Sequence, residues 1–273
     1  MIKEMTINAI TKYIEDNIEI SNIDIDSLVS YTGYGRRYLQ KIFKDTIGLP
    51  VGKYIQLRRV SRAAVLLRYT HLSLVSISTR LCYDSQQTFS REFKKNTGYT
   101  PLQYRKNKVW TFRNMIGHRN SNDLFPLPKT IHIEKKTVYG YLFEHKEKVP
   151  YTGEKSGIRW EEINKKLNDQ DVIRISNKAM ADDESHDEIF ISTVIWTNKK
   201  QSNIQLDIDS GMYACFSFIG SHENYSHFIK HIYMNVIPFY GLKKRDVFDM
   251  EIISKEDNNL LCFRYFLPIE SDS

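Results

Sequence analysis

Arginine, glutamine and lysine side chains recur with helical spacing at two places that lie about 50 residues apart in this chain. An arginine can form two hydrogen bonds with guanine O6 and N7, and a glutamine can do the same with adenine N6 and N7. The side chains suited to base contact are Arg37, Gln40, Lys41, Gln86, Gln87, Ser90 and Arg91. Those suited to phosphate contacts, which carry no sequence information, are Arg36, Lys44, Arg58, Lys94 and Lys95. Taken singly, a helix face of this kind is more often merely solvated.

Both groups belong to an internal repeat, which lowers the weight of that simpler explanation. Residues 32–48 align with residues 82–98. The alignment pairs Leu39 with Phe89, Phe43 with Phe93, Lys44 with Lys94 and Gly48 with Gly98. Two copies with the same apolar and polar positions indicate one structural unit used twice.

Each copy predicts two short helices around a tight turn. In the first copy, Asp24 or Asp26 can cap a helix whose apolar residues are three and four apart, and Gly33 and Gly35 supply a permissive turn. A second helix is expected over residues 36–46. In the other copy, Ser73 and Ser85 are the expected caps, and a long helix over about 51–69 joins the two units. Such a linking helix would hold the two units about one DNA turn, ~34 Å, apart on one face of the duplex.

The charge distribution agrees with a polyanion partner. Residues 1–110 carry 18 basic and 9 acidic side chains, whereas residues 111–273 carry 21 and 24. Within residues 36–108 the counts are 16 and 3. The three cysteines (Cys82, Cys215 and Cys262) are far apart, which fits the reducing cytosol. No run approaches the roughly 18 apolar residues of a membrane helix, so no membrane partner is expected.

The basic half resembles the AraC/XylS family of transcription regulators. The resemblance lies in SRAA at 61–64, YDSQQTFSREFKK at 83–95 and GYTPLQYR at 98–105. It is greatest for the Rob-like branch, and within it for positive regulators of capsule or fimbrial chaperone–usher operons. This implies a cytoplasmic activator that binds promoter DNA as a monomer and recruits RNA polymerase. The family has tryptophan where Arg37 stands, so its target sequence does not carry over.

The second half has an α+β pattern. We expect an all-α domain over residues 1–107, with two helix-turn-helix units joined by a long helix, a linker over 108–128, and an α+β domain over 129–273. Strands are predicted near 130–133, 138–143, 189–196, 212–218, 248–253 and 260–268, and helices near 157–167 and 224–238. The pattern favours two similar strand–helix–strand halves. The segments 210–220 and 263–269 resemble the GyrI-like effector-binding fold.

The resemblance also suggests an effector pocket with aromatic walls. Its candidate residues are Trp160, Trp196, Tyr213, Arg264 and Tyr265. Aromatic residues of this kind are more often part of the core. Relatives hold a buried glutamate at the place that Arg264 occupies, and an arginine there would repel a cation. We therefore expect either an acidic effector or a domain that contacts another protein.

Enzymatic and metal-binding readings have little support. His227 and His231 lie one helical turn apart, but Phe228 stands where zinc proteases have glutamate. No nucleophile motif or phosphate-binding glycine loop occurs, so no catalytic residue, metal or cofactor is expected. Two alternatives to a specific activator remain: a nonspecific architectural or origin-binding protein, and a small-molecule sensor or hydrolase that acts mainly through its second domain.

Overall fold

The computed structural model describes residues 2–119, 126–148, 157–183, 185, 188–256 and 260–271. The first part of the chain is entirely helical up to residue 106. Its helices are α1 (Ile2–Asn17), α2 (Ile25–Thr32), α3 (Arg36–Ile47), α4 (Val51–Tyr69), α5 (Leu74–Arg80), α6 (Gln86–Thr97) and α7 (Pro101–Lys106). The helices predicted from the repeat are all observed, while α1 was not predicted.

The helix ends follow from local side-chain chemistry. Asp24 accepts a hydrogen bond from the Ser27 backbone and so caps α2, while Ser73 and Ser85 cap α5 and α6 in the same way. Each of these bonds satisfies a backbone donor that the first turn of a helix leaves without a partner. Gly33 ends α2 in the left-handed region (φ 71°). Gly35 has an ordinary φ of −64°, so only one of the two predicted turn glycines needs this freedom.

The helical domain has two hydrophobic centres. The first lies between α1, α2, α3 and the first half of α4 and contains the fully buried Ile10, Leu39 and Phe43. The second is built on the other half of α4 with α5, α6 and α7 and contains Phe89 and Phe93. Burial of each such side chain stabilises the fold by about 1.5–3 kcal/mol. The two cores therefore fix α3 and α6 on opposite ends of α4.

The second part of the chain is a curled antiparallel sheet with helices. The strands are β1 (Val109–Thr111), β2 (Lys129–Ile133), β3 (Lys136–Lys148), β4 (Val172–Ala181), β5 (Glu188–Trp196), β6 (Ile204–Ile208), β7 (Gly211–Gly220), β8 (Lys243–Arg245), β9 (Asp249–Lys255) and β10 (Leu261–Pro268). Eight of them form a sheet in the order β2-β7-β10-β9-β4-β5-β3-β6. The helices are α8 (Gly157–Asp169), α9 (His222–His231) and α10 (Ile237–Tyr240), with a π-helical turn (Ile232–Val236) between the last two.

The sheet is a structural duplication, as the sequence indicated. Strand, helix and two further strands occur twice, as β3-α8-β4-β5 and as β7-α9-β9-β10, and β4 pairs with β9 where the halves meet. Side chains of α8 and α9, among them Trp160 and Tyr225, pack on one face of the sheet against Ile253 and Phe263. That face therefore carries the core that supports the site described below.

The segment interpreted as a linker is instead partly built into the fold. Residues 109–111 form β1, which pairs with β8 of the second domain. Trp110, Phe112 and Met115 are buried, and they belong to a hydrophobic core that contains residues of both domains. The glycine, asparagine and proline content suggested a linker, but the aromatic residues between them have a buried place. Residues 120–125 of that segment lie outside the described part of the chain. No helix in the described ranges is long and apolar enough to cross a membrane.

Candidate nucleic-acid interface and interdomain cavity

Helix α3 presents a polar face to solvent because Leu39, Ile42 and Phe43 hold its other face in the core. The exposed side chains on this face are Arg37, Gln40, Lys41 and Lys44. None of them is bonded to another side chain in the described part of the chain. Their donors are therefore available to an external acceptor.

Helix α6 repeats this arrangement at the other end of α4. Gln87, Arg91, Lys94 and Lys95 are exposed, while Gln86 and Ser90 are half-buried, next to the buried Phe89 and Phe93. The one acidic residue of α6, Glu92, accepts a hydrogen bond of 2.9 Å from the Tyr83 hydroxyl. Burial and this neighbouring carboxylate raise the Tyr83 pKa well above its usual value. The carboxylate of Glu92 is thus hydrogen-bonded to Tyr83, next to the basic side chains of α6.

The predicted phosphate-contacting residues fall into three situations. Lys44, Lys94 and Lys95 are exposed. Arg36 is also exposed but forms a 2.8 Å ion pair with Asp26. Arg58 is buried and does not reach the surface, so its assignment as a phosphate contact is wrong.

Arg58 instead joins α4 to α1. Its Nε and Nη2 donate to the two carboxylate oxygens of Glu15 at 2.6 Å each, and its Nη1 donates to the carbonyl of Ile116. Burial alone would raise the pKa of Glu15, but the attraction of Arg58 leaves it below its ordinary value. Glu19 similarly pairs with Arg62 and Arg80. Glu15 in α1 and Glu19 just after it thus neutralise three arginines, and one of these, Arg58, was expected to contact DNA.

A cavity of about 460 Å³ lies between the two domains, and we call it the interdomain cavity. Arg68, Tyr69, Arg105 and Trp110 line it from the first part of the chain. Its lining from the second domain includes Trp160, Tyr225, Ile229, Tyr233 and Tyr265 together with the charged Glu147, Arg159, Lys178, Lys244, Arg245, Asp246, Asp249 and Glu251. The volume is in the range of small-molecule sites, about 300–1,000 Å³.

Charged groups inside this cavity are mostly paired. Arg159 and Glu251, both buried, form an ion pair of 2.7 Å, and Lys244 pairs with Asp249 at 2.8 Å. Asp249 also accepts a hydrogen bond of 2.5 Å from the Tyr233 hydroxyl. Burial and this carboxylate raise the pKa of Tyr265, whose hydroxyl also donates to Asp249. These two pairs are therefore neutralised within the second domain.

Comparisons with known proteins match two separate parts of the chain. Residues 28–107 match the family described as "Helix-turn-helix domain", and residues 145–270 match "GyrI-like small molecule binding domain". The "F1 operon positive regulatory protein" of Yersinia pestis is 42% identical over 273 residues, which are 100% of this chain and 90% of that protein. The chain belongs to the AraC/XylS family, in its Rob-like branch.

Two further members show how far the similarity extends. The "Right origin-binding protein" of Escherichia coli (strain K12) is 25% identical over 241 residues, which cover 84% of this chain and 83% of the relative. The "HTH-type transcriptional activator AarP" of Providencia stuartii is 35% identical over 99 residues, or 36% of this chain and 73% of the relative. This AraC/XylS protein is therefore a transcription regulator with a DNA-binding helix-turn-helix domain.

The predicted effector residues of this AraC/XylS regulator divide between the two faces of the sheet. Trp160 and Tyr265 line the interdomain cavity. Trp196, Tyr213 and Arg264 do not, so they do not share this cavity with Trp160 as the sequence had led us to expect. Side chains alternate between the faces of a strand. Arg264, between Phe263 and Tyr265, therefore points to the opposite side from them.

Two of these three residues, Tyr213 and Trp196, have identified hydrogen-bond partners. Tyr213 donates to the carbonyl of Asp209 at 2.9 Å, and the indole nitrogen of Trp196 donates to Ser176 at 2.9 Å. Arg264 is exposed. The expected repulsion of a cation by Arg264 inside the pocket therefore has no basis in this AraC/XylS protein.

Sequence reasoning did not find the cavity residues that come from the helical domain. Arg68, Tyr69 and Arg105 lie outside the segments that resemble the GyrI-like fold, and no spacing connects them with residue 159 or 251. Trp110 was assigned to the linker, although a tryptophan in such a segment is a usable signal of burial. In the described part of the chain, no group of three or more His, Cys, Asp or Glu side chains is arranged to hold a metal ion. His231 lies 2.9 Å from the side chain of Asn235.

Proposed function

We propose that this regulator is a sequence-specific activator that reads two adjacent major-groove segments with α3 and α6. In this proposal α2 and α3 form one helix-turn-helix unit and α5 and α6 form the other, joined rigidly by α4. The observation that carries it is the pair of exposed, unengaged faces on two helices of 12 residues each. Arg37, Gln40 and Lys41 would contact bases from the first helix, and the second helix would use Gln86, Gln87, Ser90 and Arg91.

The geometry of α4 supports reading of two successive grooves. A helix of 19 residues is about 28 Å long, close to the ~34 Å that separate equivalent groove positions one turn apart. Because the cores on its two halves hold α3 and α6, the chain needs no partner copy to present both helices. Binding as a monomer to an asymmetric site is therefore the simplest arrangement.

Phosphate contacts complete the proposed interface. Lys44 follows the base-contacting residues on α3, and Lys94 and Lys95 occupy the corresponding part of α6. Arg36 would exchange its exposed pairing with Asp26 for a phosphate oxygen at little cost, because exposed ion pairs contribute only about 0–1 kcal/mol. Each cation that neutralises a phosphate releases counterions and increases the salt dependence of binding.

Activation and effector binding are the remaining parts of the proposal. The similarity to a positive regulator of an operon supports a role in raising transcription. We further propose that the regulator contacts RNA polymerase and that its target is a capsule or fimbrial operon or a stress operon. The GyrI-like domain description and the volume of the interdomain cavity support a small-molecule effector. The protein functions in this reading as an effector-responsive activator in the cytoplasm.

The first test is selection of DNA from random duplex pools by the purified protein at about 0.15 M salt. We expect one asymmetric site with two short elements about one turn, ~10 base pairs, apart. Gln40→Ala should relax the preference within one element, and Gln87→Ala should relax it within the other. Gln205→Ala, an exposed glutamine on β6 of the second domain, should leave both elements unchanged.

The alternative function is that of an architectural or origin-binding protein, and the similarity to a right origin-binding protein supports it. Salt-sensitive DNA binding with no enriched sequence would favour this alternative. A reporter fused to the selected site then tests activation. An intact site that gives no increase in transcription would refute the activator proposal while leaving DNA recognition in place.

A further inference from the structure

We propose that residues 112–119, which we call the strap, fix the spacing of the two DNA elements that the protein reads, with Asn114 and Arg119 as positioning residues. The strap runs along α4 from the second core of the helical domain to the first and binds the C-terminal ends of α6 and α3. The inference rests on the proposed function in one respect, that α3 and α6 each read one DNA element. It adds the part of the chain that sets the separation of the two helices.

The strap is attached to the helical domain by apolar side chains and by backbone hydrogen bonds. Phe112 and Met115 are buried in the second core, which holds α6, whereas Ile116 is buried in the first core, which holds α3. The N–H of Ile116 donates to the hydroxyl of Ser61 at 2.9 Å, and its carbonyl accepts from Arg58. Adjacent residues of the strap therefore belong to different cores, and α4 fixes the strap where it crosses from one core to the other.

Asn114 holds the C-terminal end of α6. Its side-chain amide donates to the carbonyl of Asn96 at 2.9 Å, which is one of the last four carbonyls of the helix and has no partner within the helix. Asn114 itself has a φ of 53°, a left-handed conformation that residues other than glycine, asparagine and aspartate seldom adopt. Asparagine therefore supplies both the backbone conformation and the amide donor.

Arg119 holds the corresponding end of α3. Its Nη1 donates at 3.1 Å to the carbonyl of Ile47, the last residue of the helix, and its backbone N–H donates at 3.3 Å to the hydroxyl of the buried Tyr54. The two repeats are offset by 50 residues, so Ile47 and Asn96 occupy nearly equivalent positions. The strap thus binds the same end of both helices that carry the proposed base contacts.

The second domain also contacts the strap. Asn235, in the π-helical turn, donates to the carbonyl of His118 at 3.2 Å. Gly117 lies so close to Asn235 that an added Cβ would overlap its side chain. The strap is therefore held by α4 and by the GyrI-like domain together, and the second domain acts on both helix ends through it.

The hydrogen bonds of the strap contribute to the cost of reading a site with altered spacing. One base pair more or less moves an element by about 3.4 Å and rotates it by about a tenth of a helical turn. A helix that follows the displaced element must break its bond to the strap, so this bond adds to the discrimination between spacings. A protein without the bond discriminates less, whereas its base contacts within each element are unchanged.

The test is competition titration of the full-length protein with three duplexes: the selected site, and the same site with one base pair added or removed between its elements. We expect the parent protein to bind the altered duplexes at least about tenfold more weakly, because at least one bidentate base contact is lost. Asn114→Gly, which keeps the backbone conformation, and Arg119→Met should each reduce this ratio about two- to tenfold, the range for one hydrogen bond. Asn235→Ala should reduce it in the same direction.

Two further variants separate positioning from charge and from general stability. Lys108→Met removes one positive charge from an exposed position just before the strap and should leave the ratio unchanged. Arg119→Lys keeps a charged donor and should keep most of the ratio. In every variant the base preference within each element should remain that of the parent protein, whereas loss of folded protein would weaken binding to all three duplexes alike.

A ratio that stays at the parent value in both Asn114→Gly and Arg119→Met would overturn the proposal. Equal binding of the three duplexes by the parent protein would also overturn it, and would leave recognition of two elements in place. An unchanged ratio in Asn235→Ala would refute the part assigned to the second domain. Selection of no DNA element at all would overturn the proposed function and this inference together.

Discussion

Replacement of Arg58 by methionine separates a structural role from a DNA-contacting role. Arg58 and Glu15 retain only 7% and 23% of their side-chain exposure, and removal of one partner of a buried pair costs about 3–5 kcal/mol. Partial access of water to Glu15 places the pair at the lower end, about 3 kcal/mol. The carbonyl of Ile116 also loses its donor, which adds about 1 kcal/mol. We therefore expect the free energy of unfolding to fall by about 3–4 kcal/mol.

Urea denaturation followed by circular dichroism measures this change, and titration of DNA binding against salt concentration measures the number of phosphate contacts. Arg58→Met should lower the unfolding free energy and leave the salt slope of the folded protein unchanged. Arg37→Met is the matched control, because that exposed arginine on α3 should affect DNA binding and not stability. Glu15→Leu combined with Arg58→Met should recover much of the loss, since no uncompensated charge then remains buried.

The reasoning is refuted if Arg58→Met leaves stability within about 0.5 kcal/mol, the range of ordinary surface changes, and reduces the salt slope by about one. That result would mean that Arg58 leaves the interior and binds a phosphate. It would also mean that α1 docks on α4 through its apolar residues alone. The same measurement thus decides whether Glu15 of α1 keeps Arg58 away from DNA.

Three further predictions concern recognition, backbone conformation and pH. Arg91→Ala should cost about 1–3 kcal/mol of binding free energy at one base position and relax the preference there. Lys95→Ala should instead weaken binding to all sequences and flatten the salt slope. Competition titrations would measure both effects, and a uniform loss from Arg91→Ala would contradict the base contact. Gly48→Ala should destabilise the protein by about 1–2 kcal/mol, because Gly48 has a φ of +81°. Gly52→Ala, inside α4 with open space around it, should stabilise the protein by about 0.5–1 kcal/mol. Equal urea midpoints for the two variants would disprove this. Because the pKa of Glu15 is lowered from 4.5 in the folded protein, its pairing stabilises the fold above that pH, and the contribution is lost as the pH falls through the lowered value. The free energy of unfolding, measured from about pH 7 to 3, should reveal this loss. The Glu15→Gln variant should lack it.

The sequence by itself determined the local structure of the helical domain and the residue types on its surface. Helix caps such as Ser85, the apolar spacing of Phe89 and Phe93, and the 50-residue repeat are short-range signals that survive without knowledge of the fold. The sequence of α1 also carries such a signal, because Ile7, Ile10 and Ile14, which are fully buried in the structure, have helical spacing. For these elements, interactions within a few residues decide the conformation.

Only the tertiary structure decided which charges are available and which face of the sheet holds the cavity. Arg58 and Arg91 look equivalent in sequence, yet Glu15 lies 43 residues away from Arg58 and engages it. Trp196, Arg264 and Tyr265 lie on strands, and the register of strand pairing decides which face of the sheet each side chain occupies. A shift of the register by one residue would move each side chain to the opposite face. The meeting of Arg105 with Tyr225 and Tyr265 requires two domains to share a core. Contacts between residues distant along the chain have no local pattern, because their energy is set by packing that exists only in the folded molecule.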